Sequence, residues 1–344
     1  MNDGTDDFEE KTTNIYRAFS EKNKSMFREK MLAFDRADEF SKEKKERIKG
    51  LVFSRKKEHD KKNITVEGKL SEDKEKIIEY IEKAEEPERI EKSTDQITNE
   101  ENMILIDGGE YNMGSDNNDE KPIHKVYLDS FYMCPYQVTQ NQWKEIMEEN
   151  PSYFQNEKDK NGVENNNTGK FPVECVSWYD CVLFCNKLSE VYGLTKYYNI
   201  NGSDVTFNGG ARGFRLPTES EWEFAARGGI KSNNYKYSGS NTLDEVGWYY
   251  ENSDGKTHEA GKKNINELGI YDMSGNVWEW CFDRYGEYDS RPQKNPQGAY
   301  AGAVRVMRGG SWCYGAEDCA VSYRYYFTPG LRDNRVGFRL VLPQ

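Results

Sequence analysis

No apolar run in these 344 residues approaches the ~18 that a membrane-spanning helix needs, so no transmembrane segment is expected. Histidine is scarce: His59, His124 and His258 are the only three, and no two are close in the chain. The seven cysteines are odd in number and follow no disulfide spacing. Cys181 and Cys185 lie four apart in the helical pattern SWYDCVLFCNKL, where small buried side chains are expected rather than metal ligands. No P-loop, Gly-x-Gly-x-x-Gly or Ser-His-Asp arrangement stands out. The opening residues MNDGTDDFEE are acidic and polar, unlike a secretory leader. That favours the cytoplasm, and leaves the cell surface open if a lipidated leader has been removed.

Tryptophan and cysteine are both missing from residues 1–100, which carry 26 acidic and 23 basic side chains. All seven tryptophans lie between Trp143 and Trp312, so the packed core belongs to residues 101–344. In residues 10–55, Tyr16, Phe19, Met26, Phe27, Met31, Phe34 and Phe40 recur at helical spacing among charges. A shorter helix is expected over 71–85, then a polar linker over 86–100. Such a charged helical arm suits a stalk or a coiled coil, and so self-association. The net charge of −12 divides as −3 over residues 1–100 and −9 over the rest. An acidic core domain argues against nucleic acid as a partner.

From Met103 the pattern is mixed α+β, with little regular secondary structure. MILIDGGEYNMGS predicts two short strands about a Gly-Gly turn. Thr139 is expected to cap a helix that runs to Asn150-Pro151, and a second helix should end at Gly193. YYNINGSDVTFN predicts a hairpin turning at Asn201-Gly202. Thr218 and Glu221 have capping-box spacing at the start of a third helix. The segment from Arg308 to Arg339 is the most unusual. RGGSW opens it, GFR closes it, and the run between is dense in Tyr, Phe, Asp and Glu. Aromatics held on a rigid frame make binding surfaces. Tyr325, Tyr326 and Phe327 cannot all face inward on one strand.

These motifs together resemble the formylglycine-generating enzyme, or sulfatase-modifying factor, superfamily. The resemblance rests on Gly108-Gly109 with Met113-Gly114-Ser115, Gln137-Val138-Thr139, Pro172-Val173 with Ser177-Trp178, and RLPTE at 215–219 with Glu221-Trp222-Glu223. It continues through GIYDMSGNVWEW at 269–280, RGGSW at 308–312 and Gly337-Phe338-Arg339. The matches run in the family's order over about 103–342, and the first 100 residues lie outside them. The resemblance implies a C-type lectin-like fold of the formylglycine-generating type.

Enzymes of this family hold copper with two thiolates, three and eight residues after the Ser of Gly-Gly-Ser. Here Tyr314 stands at the third position after Ser311 and Cys319 at the eighth, with Cys313 one place early. Ser311, Cys313 and Cys319 would be catalytic only if the chain were an oxidase. Copper is not expected, because one residue of register redirects a side chain. The family's iron-dependent branch needs clustered histidines, which the chain lacks. The loop pattern is instead similar to that of the variable proteins of diversity-generating retroelements. On that resemblance Trp312, Cys313, Tyr314, Glu317, Asp318, Tyr323, Tyr325, Tyr326, Phe327 and Leu331 are expected to bind a protein or peptide ligand. The resemblance also implies one Ca²⁺ held by Asp272, Gly275, Val277 and Glu279, through the two carboxylates and the two intervening carbonyls. The expectation is thus a catalytically inactive binding scaffold. A copper-dependent oxidase and a passive assembly protein built on the helical arm are the alternatives.

Overall fold

The computed structural model describes residues 102–155 and 168–344. The helices expected over 10–55 and 71–85 and the linker 86–100 lie outside the described residues. Among the described residues, four short sheets and four α-helices make up the domain. β1 (Ile104–Ile106), β4 (Phe131–Met133) and β12 (Val341–Pro343) form one sheet with β4 in the middle, so the last strand returns to the sheet that the first strand began. β2 (Gly109–Met113) pairs antiparallel with β3 (His124–Leu128), which takes β8 (Gln293–Lys294) on its other edge. The strands flanking the Gly-Gly turn at 108–109 therefore exist as expected, but they join different sheets.

The third sheet has the order β10 (Arg324–Phe327), β9 (Arg305–Arg308), β7 (Trp278–Arg284), β11 (Val336–Gly337). It carries both segments that the sequence singled out. β5 (Tyr198–Asn201) and β6 (Asp204–Phe207) are the expected hairpin. Asn201 pairs with Asp204, which moves the turn one residue on, to Gly202-Ser203.

Each of the longer helices starts on a capping box, in which the cap side chain and the third helical side chain satisfy each other's backbone N–H. These are Thr139 with Gln142 for α1 (Gln140–Met147), Ser177 with Asp180 for α2 (Trp178–Val191), and Thr218 with Glu221 for α3 (Glu219–Ala226). α1 stops three residues before the expected Asn-Pro, because Glu148 turns left-handed at φ 67° and its N–H closes on Lys144. α4 (Leu243–Val246) is a single turn.

The core falls into two main clusters. One joins Trp143, Trp178, Phe184, Trp278, Trp280 and Phe338, and takes in Cys181 and Cys185 as the buried hydrophobes expected of them. The other joins Phe131, Trp222, Phe224 and Ile270. α3 is buried along its whole length, acids included, and lies against the third sheet.

Candidate functional site: a pinned loop and an oxygen cage

The loop between β9 and β10 is tied down from behind. Arg308 is fully buried at the end of β9. Its guanidinium donates to the carbonyls of Val321, Ser322 and Tyr323 and pairs with Glu223 of α3. Arg324, at the start of β10, pairs with Glu219 of α3 through two bonds of 2.6 and 2.8 Å. Glu219 and Glu223 are four apart, so one face of α3 presents both acids to the loop. Burial alone would raise the Glu219 carboxyl, but Arg324 and Arg308 beside it hold it below its usual value. The glycine pair of the opening motif has a steric cause. Gly310 sits at φ 74°, and a Cβ there would collide with Cys319 Sγ.

The front of the loop is different. None of the ten residues expected to bind a ligand is buried, although only Tyr326 and Glu317 are exposed. Trp278 forms the floor: the rings of Tyr314, Tyr323 and Tyr325 lie 5.3, 6.0 and 5.5 Å from it. Phe327 and Leu331 pack half-buried against the same cluster. Arg335 reaches the Tyr314 hydroxyl at 3.3 Å. Burial, with the Asp318 carboxylate beside it, pushes the Tyr323 phenol up.

The ten do not form one face. β10 alternates, so Tyr325 faces Trp278 while Tyr326 turns to the opposite side and lies 4.2 Å from Tyr285. Glu317 leans away to Lys236 at 3.0 Å. Trp312 is half-buried against Phe154 at 5.3 Å, and its indole N–H donates to the Asn334 carbonyl. It helps line a small cavity of about 230 Å³ with Tyr153, Phe154 and Lys256.

Neither thiol is exposed. Cys319 is sealed in the core, and Cys313 is half-buried with Sγ 3.7 Å from Ser311 Oγ. Burial pushes both thiols up, away from the thiolate that a copper ion needs.

The turn at 272–279 builds an oxygen cage. The carbonyls of Asp272, Gly275 and Val277 and Oε1 of Glu279 all converge on one nitrogen, Gln137 Nε2, at 3.2, 3.4, 3.1 and 3.0 Å. An amide has two N–H hydrogens, so four acceptors exceed what it can satisfy. Its own Oε1 is buried with no partner, and so is Asp272 Oδ1. A converging set of hard oxygens with orphaned polar atoms beside it fits a hard cation. The expectation for Asp272 needs one correction. Its main-chain carbonyl faces the cage, while its carboxylate accepts from Gly261 N–H at 2.7 Å. Burial pushes that carboxyl up to about 6. Glu279 is also shared: Arg339 grips both its oxygens at 2.6 and 2.7 Å, and Trp222 donates at 2.8 Å. The sequence pattern did not single out Gln137 as a partner of this turn, since it lies more than a hundred residues away.

Short twisted sheets with few helices, closed by a terminal strand returning to the first sheet, define a C-type lectin-like fold. The chain belongs to the family of the sulfatase-modifying factor enzyme 1-like domain, which matches residues 88–343. It is 37% identical over 255 residues to the chaperone protein LppX of Paenibacillus barcinonensis, covering 65% of this chain and 82% of that one. It is 27% identical over 273 residues to the inactive C-alpha-formylglycine-generating enzyme 2 of Bos taurus, covering 69% and 87%. Among solved structures, Treponema denticola variable protein 1 superposes with a TM-score of 0.65 at 36% identity, covering 70% of this chain and 95% of that one.

Proposed function

We propose that this domain is a catalytically inactive scaffold that binds a protein or peptide ligand through the loop at 312–331. The observation that carries this is the asymmetry of the loop. Buried arginine–glutamate pairs fix its back to α3, so its front side chains can meet a partner without the frame moving. Tyr314, Tyr323, Tyr325 and Phe327 offer stiff contact area at low entropic cost. Likeness to a variable protein and to an inactive relative of the enzymes supports the same view. Tyr314 at the first thiolate position supports inactivity.

Two measurements test this. The full chain, supplied with copper and a sulfatase-type cysteine peptide, should give no turnover. Turnover that vanishes in Cys319→Ser would make it an oxidase instead. Peptides selected on the immobilised chain from a random library should lose affinity for Tyr325→Ala and keep it for Lys125→Ala, a change on β3. Binders indifferent to Tyr325→Ala would overturn the loop as the site.

We also propose that the cage at 272–279 takes one Ca²⁺ as a structural ion. The carbonyls of Asp272, Gly275 and Val277 and the Glu279 carboxylate would hold it. A flip of the Gln137 amide would turn its unbonded oxygen toward the same point. The ion would neutralise converging lone pairs and fix the turn on which β7 begins. Loss of the calcium response in Asp272→Ala with Glu279→Ala, against a clear response to chelator in the parent, is the expected result.

A further inference from the structure

Buried arginines in this domain follow a rule with one exception. Arg215, Arg308, Arg324 and Arg339 each pair with a glutamate. Arg305 is buried to 8% exposure, yet among the described residues no carboxylate lies within salt-bridge distance of it. Its guanidinium lies 3.8 Å over the Trp178 ring and 5.6 Å from Phe282, and Nη1 donates to the Phe282 carbonyl at 2.6 Å. Among the described residues Nε and Nη2 make no hydrogen bond, and they are not sealed from solvent. An aromatic face offsets part of the cost of a desolvated cation, but a carboxylate offsets far more. Arg284, its neighbour on β7, also has no acidic partner among the described residues. Burial first, and then the like charge of Arg284, lower the Arg305 guanidinium to about 10.

The register places this unpaired group beside the loop. Arg305 is directly opposite Phe327 on β10, and opposite residues of an antiparallel pair point to the same face. Tyr325, two residues back, shares that face. Arg305 is on the frame strand β9, so it is present whatever the loop carries.

We propose that Arg305 is a fixed anion anchor at the edge of the loop's Tyr325–Phe327 face, and that the ligand is a peptide segment bringing a carboxylate beside an aromatic or aliphatic side chain. The guanidinium's free N–H groups would take the carboxylate, while Phe282 and Phe327 flank the apolar neighbour. This rests on the loop being the binding surface, and names the class of ligand it takes. The domain's overall acidity would repel a generally acidic partner, so one anchored carboxylate, not a polyanion, is the fitting complement.

The experiment has two arms on the full chain. In the first, sodium acetate is titrated at constant ionic strength while the side-chain Nε–H signals of the arginines are followed by NMR. A saturable shift at Arg305, with none at the Asp180-paired Arg332, is expected; a shift at Arg305 no larger than at Arg332 overturns the anchor. In the second, peptides selected from the random library are sequenced. Enrichment of Asp or Glu next to an apolar residue is expected, with affinity falling at least tenfold in Arg305→Met and partly retained in Arg305→Lys. Binders that need Tyr325 but are neutral and indifferent to Arg305→Met would sink the anchor and leave the loop standing. If no binder depends on Tyr325, the loop reading falls, and the acetate arm still decides whether Arg305 takes a carboxylate.

Discussion

The turn at 272–279 and the loop at 312–331 lie next to each other around the third sheet, and they are built on opposite principles. In the turn every side chain is buried, and each charge has a designated partner: Glu279 is gripped by Arg339, and Asp272 by the Gly261 amide. In the loop the fixed charges are Arg308, just before it, and Arg324, at the start of β10, while none of the ten candidate ligand contacts is buried. The turn is frame and the loop is surface. The same sheet supplies both, because β7 starts at the end of the turn while β9 leads into the loop and β10 is part of it.

The comparison breaks most easily at the floor that the two share. Trp278 and Trp280 are almost wholly buried, and each supports the core where β7 leaves the turn. Trp278→Ala and Trp280→Ala should each cost about 3–5 kcal/mol, as large aromatic truncations in cores do. Denaturant unfolding of the two variants checks this. A loss under about 1 kcal/mol in either would mean that the floor is not the rigid element supposed here.

The cage gives the next effect. If Ca²⁺ binds only the folded protein, a hundredfold excess over its dissociation constant stabilises by about 2.7 kcal/mol, and a chelator should remove that. The chelated protein should also show an Asp272 signature. Its folded pKa of about 6 lies above the ordinary 3.8, so the protonated acid favours the fold. That contribution is complete below about pH 4 and disappears as the pH rises through 6, for a total of about 2–3 kcal/mol. Asp272→Asn cannot ionise, so its stability relative to the parent should rise by that amount between pH 4 and pH 7. A parent–variant difference that does not change with pH would rule out a buried ionisable Asp272.

Much of this was legible in the sequence where local rules govern. Thr139 and Thr218 were placed at helix starts by capping chemistry that acts over three residues. Arg-Gly-Gly-Ser-Trp and Gly-Phe-Arg bracketed the unusual segment because glycine punctuates the backbone. What stayed hidden depends on distant partners. Nothing near Gln137 announces that its amide meets a turn beginning at Asp272, and nothing near Arg305 announces that it alone among the buried arginines lacks an acid. The end of α1 was missed for a local reason, since Glu148 adopts a left-handed conformation that a non-glycine residue seldom signals. The loop's division into two faces follows from strand alternation once β10 is placed, but its limits needed the pairing with β9.

On the loop itself, Tyr325→Ala and Phe327→Ala remove half-buried rings that pack on the Trp278 cluster. They should cost about 1–3 kcal/mol, less than the floor tryptophans and more than an open surface position. Thermal unfolding beside Trp278→Ala orders them. Equal losses for loop and floor would make the loop aromatics part of the core and take away the main support for a binding surface.

The smallest effects should come from the side of the loop that the Trp278 floor does not reach. Tyr326 is 45% exposed and rests on Tyr285, and Glu317 makes an ion pair with Lys236 in open solvent. Such a pair is screened and contributes about 0–1 kcal/mol, so Glu317→Ala should leave unfolding almost unchanged. Tyr326→Ala should stay under about 1 kcal/mol, because its ring keeps much of its water contact in the folded state. Since both side chains point away from the Tyr325–Phe327 face, neither change should weaken a peptide whose binding depends on Tyr325 and Arg305. Affinity measurements on the same selected peptides decide it. A tenfold loss in Tyr326→Ala would mean that the ligand wraps over the edge of β10 and reads both faces of the strand.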